Sequence, residues 1–225
     1  MKLTPSEEAE LAAHQERLSS WLRQAEVRLS ECPAVELCSR QAALQERLEG
    51  AFAGQVCPPG LSLLSGGLAE DAWCAPQVVD YINRTDTTPR TDWRSLSPQL
   101  LHACEDSLHF VPPAAFCYLL PAYLSQYLLR PDYMCCDSIF FCMSHHLNDP
   151  TYKADRLALL TPEQKAVVED VFNEYRWREM QLNGDCDDTL LPWEHERYLR
   201  EGGEASAWTF AGNLALEYAE RSGMV

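Results

Sequence analysis

Cys135, Cys142 and His146 stand at i, i+7 and i+11, which places two thiols and an imidazole along one face of a helix. Cys142 and His146 have the i, i+4 separation at which two side chains can chelate one zinc-like ion, and Cys136 and His145 lie beside them. A closed structural site needs four such ligands, and no C-x-x-C pair elsewhere supplies the remainder. An apolar helix that uses cysteine for volume, with histidines at its C-terminal end where positive charge suits the helix dipole, accounts for the same residues. No cofactor is therefore assigned, and a metal-dependent enzyme built on Cys135, Cys142 and His146 stands as the alternative reading.

Other chemistry-bearing residues are scattered. Asp185, Asp187 and Asp188 suggest a calcium loop, but Gly184 precedes the acids and the terminal bidentate glutamate is missing, so a solvated acidic turn is the reading adopted. Glu194-His195-Glu196 and Glu105-Asp106 offer acid–base pairs, and His102 or His109 could activate Cys104. There is no nucleophile elbow, phosphate-binding glycine loop or H-E-x-x-H to fix their geometry. No catalytic residue is assigned.

Charge says more about partners. The net charge is −16, distributed as −3 over residues 1–60, −4 over 61–110, −1 over 111–160 and −8 over 161–225. Without a run of Lys or Arg, such a chain repels nucleic acid. It attracts basic proteins and speeds encounter with them. Trp193 and Trp208 flank Glu194, Glu196, Glu201 and Glu204, close in sequence to Asp185, Asp187 and Asp188. Aromatic anchors ringed by carboxylates form a candidate docking surface for a basic protein partner. The expectation is a non-enzymatic acidic binding protein, monomer or homodimer. Its sharpest form is an immunity protein that neutralises a toxin by presenting carboxylates where a cationic active site is built to attract phosphate. A structural or regulatory helical subunit is the further alternative.

The elements that must position these residues are helical. Val111–Leu129 is long and apolar enough to suggest a membrane span, but its three prolines with Pro112, Pro113 and Pro121, and the hydroxyls of Tyr118, Tyr123 and Tyr127, suit a buried helix in a water-soluble core. No membrane partner is expected. The polar amino terminus and the irregularly spaced cysteines point to reduced thiols in a cytoplasmic protein. Thr4-Pro5-Ser6-Glu7 and Thr161-Pro162-Glu163-Gln164 are capping boxes that open helices. Leu11, Leu18, Leu22, Ala25 and Leu29 form one apolar stripe, and Leu37, Leu44, Leu48 and Phe52 a second. The fold expected is mainly α: an N-terminal helical hairpin over residues 1–53, a multi-helix core over 54–180, and an acidic helical extension over 181–225. Residues 83–90 read as an exposed connection.

The pieces Ala51-Phe52-Ala53-Gly54, Asp92-Trp93-Arg94-Ser95-Leu96, Ser107-Leu108-His109-Phe110-Val111-Pro112, Phe116-Cys117-Tyr118-Leu119-Leu120-Pro121-Ala122-Tyr123-Leu124, Asp137-Ser138 and Leu160-Thr161-Pro162-Glu163-Gln164 occur in this order. From about Leu44 to Tyr175 the chain resembles a bacterial family of uncharacterised helical proteins. The resemblance implies a helical domain and no particular reaction.

Overall fold

A computed structural model of the chain describes residues 2–65, 75–131, 139, 143, 155–184, 190–201 and 207–225. Every regular element among them is helical: α1 (Pro5–Glu31), α2 (Ser39–Ala51), α3 (Pro76–Thr85), α4 (Pro98–Ala103), α5 (Pro113–Leu129), α6 (Pro162–Asn183), α7 (Pro192–Arg200) and α8 (Ala207–Arg221), with short 3-10 helices at Trp93–Ser95 and Asp106–His109. None is long and apolar enough to cross a membrane.

The chain divides into two compact units, residues 1–36 with 53–139 and residues 37–52 with 140–225. This differs from the three-part division expected from sequence. The anticipated hairpin does not form a unit of its own, because α1 belongs to the first unit and α2 to the second. The physical reason lies in their stripes. That of α1 meets α4 and α3, and the chain after it runs on to Val35, whose N–H donates to the Leu129 carbonyl at 2.8 Å. Leu44 and Leu48 of α2 are buried, and α2 packs on α6 instead.

In the first unit, α1 starts where its capping box requires. The Thr4 hydroxyl accepts from the Glu7 N–H, and the Glu7 carboxylate accepts from the Thr4 N–H at 2.7 Å. Every residue of α5 from Ala115 to Ser125 is buried, and so are Tyr127 and Leu128. The helix runs through Pro121. Its hydroxyls find backbone acceptors: Tyr123 donates to the Leu101 and Cys104 carbonyls, each at 3.0 Å, and Tyr118 to the Pro89 carbonyl at 2.7 Å. Of the exposed connection expected over residues 83–90, residues 83–85 belong to α3, and the rest, exposed at Thr87 and Pro89, is tied down at Asp86 and Arg90. The Arg90 guanidinium donates to the carbonyls of Pro58, Leu61 and Asn83, and the Asp86 carboxylate accepts from Ser62 and Thr88. One arginine and one aspartate thus close the backbone polar groups of two loops.

In the second unit, α6 is the centre. Thr161 and Gln164 form its capping box, and Gln164 also donates to the Ala51 carbonyl at 3.1 Å, tying the end of α2 to the start of α6. The helix stops at Gly184, whose φ of 70° supplies the left-handed turn that ends many helices. Leu190, Ala211 and Leu214 join Met180, Tyr198 and Phe210 in one apolar cluster that seats α8.

Candidate functional site

The face of α6 between Asp170 and Arg176 buries charge where an ordinary core helix would bury aliphatic side chains. Asp170, Asn173, Glu174 and Arg176 are all buried. The i, i+4 spacing puts Asp170 and Glu174 on one face. Arg40 and Arg47, at i, i+7 on α2, reach the same two carboxylates, as do Tyr218 and Arg221 of α8.

Glu174 is saturated. Arg40 grips it through both fork positions, Nη2 to Oε1 at 2.7 Å and Nε to Oε2 at 3.1 Å; Gln41 donates to Oε1 and Tyr218 to Oε2, each at 3.1 Å. A carboxylate offers about four lone-pair sites, so these four donors occupy all of those of Glu174. Burial, and next the adjacent Glu174 carboxylate, push the Tyr218 phenol far above its ordinary range, which keeps it a donor. Asp170 accepts one bond from Arg47 at 2.7 Å and one from Arg221 at 3.2 Å.

Three guanidiniums and the Asp170 carboxylate thus line a depression of about 610 Å³, together with Ser39, Tyr218 and Ser222. Arg47 is 54 % and Arg221 64 % exposed at the side chain, so both face solvent while bound to Asp170.

A second ionic cluster lies deeper. Arg176 is 0 % exposed and lies 4.3 Å from the Phe172 ring centroid. It donates to the Asn173 amide oxygen at 2.8 Å and to both oxygens of Glu194 at 3.0 and 2.7 Å. Glu194, 1 % exposed, also accepts from the Leu191 N–H at 2.8 Å, closing the first turn of α7. Beside it the Trp193 indole donates to Glu169 at 3.1 Å and lies under the Lys165 ammonium. Burial, reinforced by Glu194, raises the Glu169 pKa.

The residues picked out from sequence fare unevenly. Glu194 is no docking residue, because a buried carboxylate bonded to Arg176 and the backbone cannot face a partner. Trp193 is half-buried and anchored, whereas Glu196 and Glu201 are exposed. Asp185, Asp187, Asp188 and Glu204, the Trp208 side chain, and the metal candidates Cys135, Cys142 and His146 lie outside the described residues. Among the described ones, no group of three His, Cys, Asp or Glu gathers in a metal-binding arrangement. Cys104 is no ready nucleophile: burial pushes its thiol up to about 12, and that of Cys117 up to about 11. His102 is buried, 3.3 Å from Glu105.

Sequence reasoning missed Arg40, Arg47, Asp170, Glu174, Arg176, Tyr218 and Arg221. The signal available was the interruption of the apolar period of α6 by Asp170, Asn173 and Glu174. A helix this polar reads as a surface helix until its partners are known.

Residues 40–189, about two thirds of the chain, match the model of a family of unknown function, DUF6714. The chain belongs to that family, and the matched segment brackets the region of resemblance found in the sequence. No curated protein and no solved structure matches it. The matched segment contains Arg40, Arg47, Asp170, Glu174 and Arg176, while Glu194, Tyr218 and Arg221 lie beyond it.

Proposed function

We propose that this member of DUF6714 is a non-catalytic binding protein whose acidic exterior docks on a basic protein partner. The observation that carries the reading is the direction in which charge is compensated. In the second unit Arg40, Arg47, Arg176 and Arg221 bond to buried or nearly buried carboxylates, whereas Glu163, Glu196, Glu201, Glu217 and Glu220 are exposed. Four cations of this unit are engaged by inward-turned carboxylates, and these exposed carboxylates carry part of the −16 excess. Such a field speeds encounter with cationic partners and selects against anionic ones.

On α7, Glu196 and Glu201 bracket Leu199, which is 59 % exposed. An apolar contact rimmed by charge has the anatomy of a docking patch. The saturation of Glu174 and the raised thiol of Cys104 support binding over catalysis. An immunity protein that masks the cationic active site of a toxin is the specific form of this reading, and its support is the charge argument. The free thiols Cys32, Cys38, Cys57, Cys104 and Cys117 suit a reducing, cytoplasmic setting.

The test is retention of proteins from the source organism's extract on the immobilised full chain, with elution by rising salt and identification by mass spectrometry. The reading expects a basic protein in stoichiometric amount, released as ionic strength rises. It also expects weaker retention by the Glu196→Lys, Glu201→Lys double variant. Retention of only acidic proteins, or retention indifferent to salt, would overturn it.

A further inference from the structure

The depression beside Asp170 has a local charge opposite to that of the whole protein. Arg40, Arg47 and Arg221 contribute three positive charges against the two carboxylates they hold, and the buried Tyr218 phenol stays protonated. Ionic structure alone does not need the third arginine. The two forks that face solvent are also underused: Arg47 spends Nη1 on Asp170, Arg221 spends Nη2, and a guanidinium carries five N–H donors. The first turn of α2 opens at the same depression, at Ser39, with the positive end of a 13-residue helix. Its volume of about 610 Å³ lies within the usual range for small-molecule sites.

From the convergence of three guanidiniums and a helix start on one depression, we infer that the second unit binds a small oxyanion-rich molecule, one carrying phosphate or several carboxylates, between Arg47 and Arg221. The two half-engaged forks take its oxygens by charge-assisted hydrogen bonds, with Ser39 on the lining beside them. Asp170 holds both arginines toward the depression when it is empty and competes weakly with the ligand for them. Glu174 fixes Arg40 behind them. The inference stands apart from the docking role, since its residues line this depression and Glu196 and Glu201 do not.

Calorimetry on the full chain at constant ionic strength tests it, with pyrophosphate and citrate as separate probes that distinguish a phosphate ligand from a polycarboxylate. Saturable binding of at least one is expected. Arg47→Gln and Arg221→Gln should each weaken it roughly tenfold or more, the loss of a charge-assisted hydrogen bond. Arg23→Gln, on the exposed side of α1, should leave it unchanged. Asp170→Asn removes the competing charge and keeps the side-chain shape, so it should tighten binding, an outcome that a purely structural ion network would not give. No saturable heat from either probe overturns the inference, and so does equal binding by wild type, Arg47→Gln and Arg221→Gln.

Discussion

The two units bury their central helices by opposite means. In α5 the polar atoms carried inward are tyrosine hydroxyls, and they bond to backbone carbonyls. In α6 they are full charges, and each is met by another: Glu174 by Arg40, Asp170 by Arg47 and Arg221, Arg176 by Glu194. Hydroxyl-to-carbonyl bonds are neutral and indifferent to salt. Ion pairs specify which partner must be present, but removing one member strands the other. The packing of α5 therefore tolerates the loss of a single polar group better than that of α6 does.

Arg176→Ala is the severest way to break this contrast. Glu194 would lose both guanidinium bonds in a site from which water is excluded, and a stranded buried charge costs about 3–5 kcal/mol. Urea unfolding of the variant should show this loss. Replacing both members, Arg176→Met with Glu194→Leu, should cost less than Arg176→Ala alone, since no charge is then left without a partner. A double variant as unstable as the single one would mean that the pair acts through packing around Phe172 and not through charge.

The same contrast explains what could be read in advance. The start of α1, the start of α6 and the all-round burial of α5 were legible because capping boxes and apolar runs are local in sequence. The ionic site was not legible, because Arg40 and Glu174 are separated by 134 residues and nothing in either neighbourhood names the other. Glu194 shows the error most clearly. Its place among Trp193 and Glu196 suggested a surface, whereas its carboxylate turns inward onto Arg176 and the Leu191 N–H. The role of Arg90 was hidden for the same reason: its partners are the carbonyls of Pro58 and Leu61 in one loop and of Asn83 in α3, and carbonyls leave no mark in a sequence.

Tyr123→Phe probes the first unit at the matching place. The variant keeps the ring and its packing and removes only the donor shared by the Leu101 and Cys104 carbonyls. A loss of about 1–2 kcal/mol is expected in urea unfolding, the usual range for a buried hydrogen bond whose acceptors remain. A loss equal to that of Arg176→Ala would erase the distinction between the units. Arg47→Ala should cost less still, about 0.2–1 kcal/mol, because its pair with Asp170 is half-open to solvent. That small difference should shrink further as salt is added, while the Arg176→Ala deficit persists at high ionic strength.

Glu169→Gln carries the smallest effect and the opposite sign. Burial, with the neighbouring Glu194 carboxylate second, raises the pKa of Glu169, and the Trp193 N–H offsets this in part. An acid whose pKa is higher in the folded state than in the unfolded one binds more protons when folded across the window between the two values. Stability contributed by its proton is therefore lost as pH rises through that window, and above it the ionised group disfavours the fold. Glutamine cannot ionise and still presents an oxygen to the indole. The variant should melt higher than wild type near neutral pH, and the two should converge below the ordinary glutamate range. A variant that melts lower at neutral pH would show that the charge on Glu169 supports α7, through Trp193 and the cations Lys165 and Arg197 around it, making it another stabilising ion of the second unit instead of a carboxylate whose charge works against the fold.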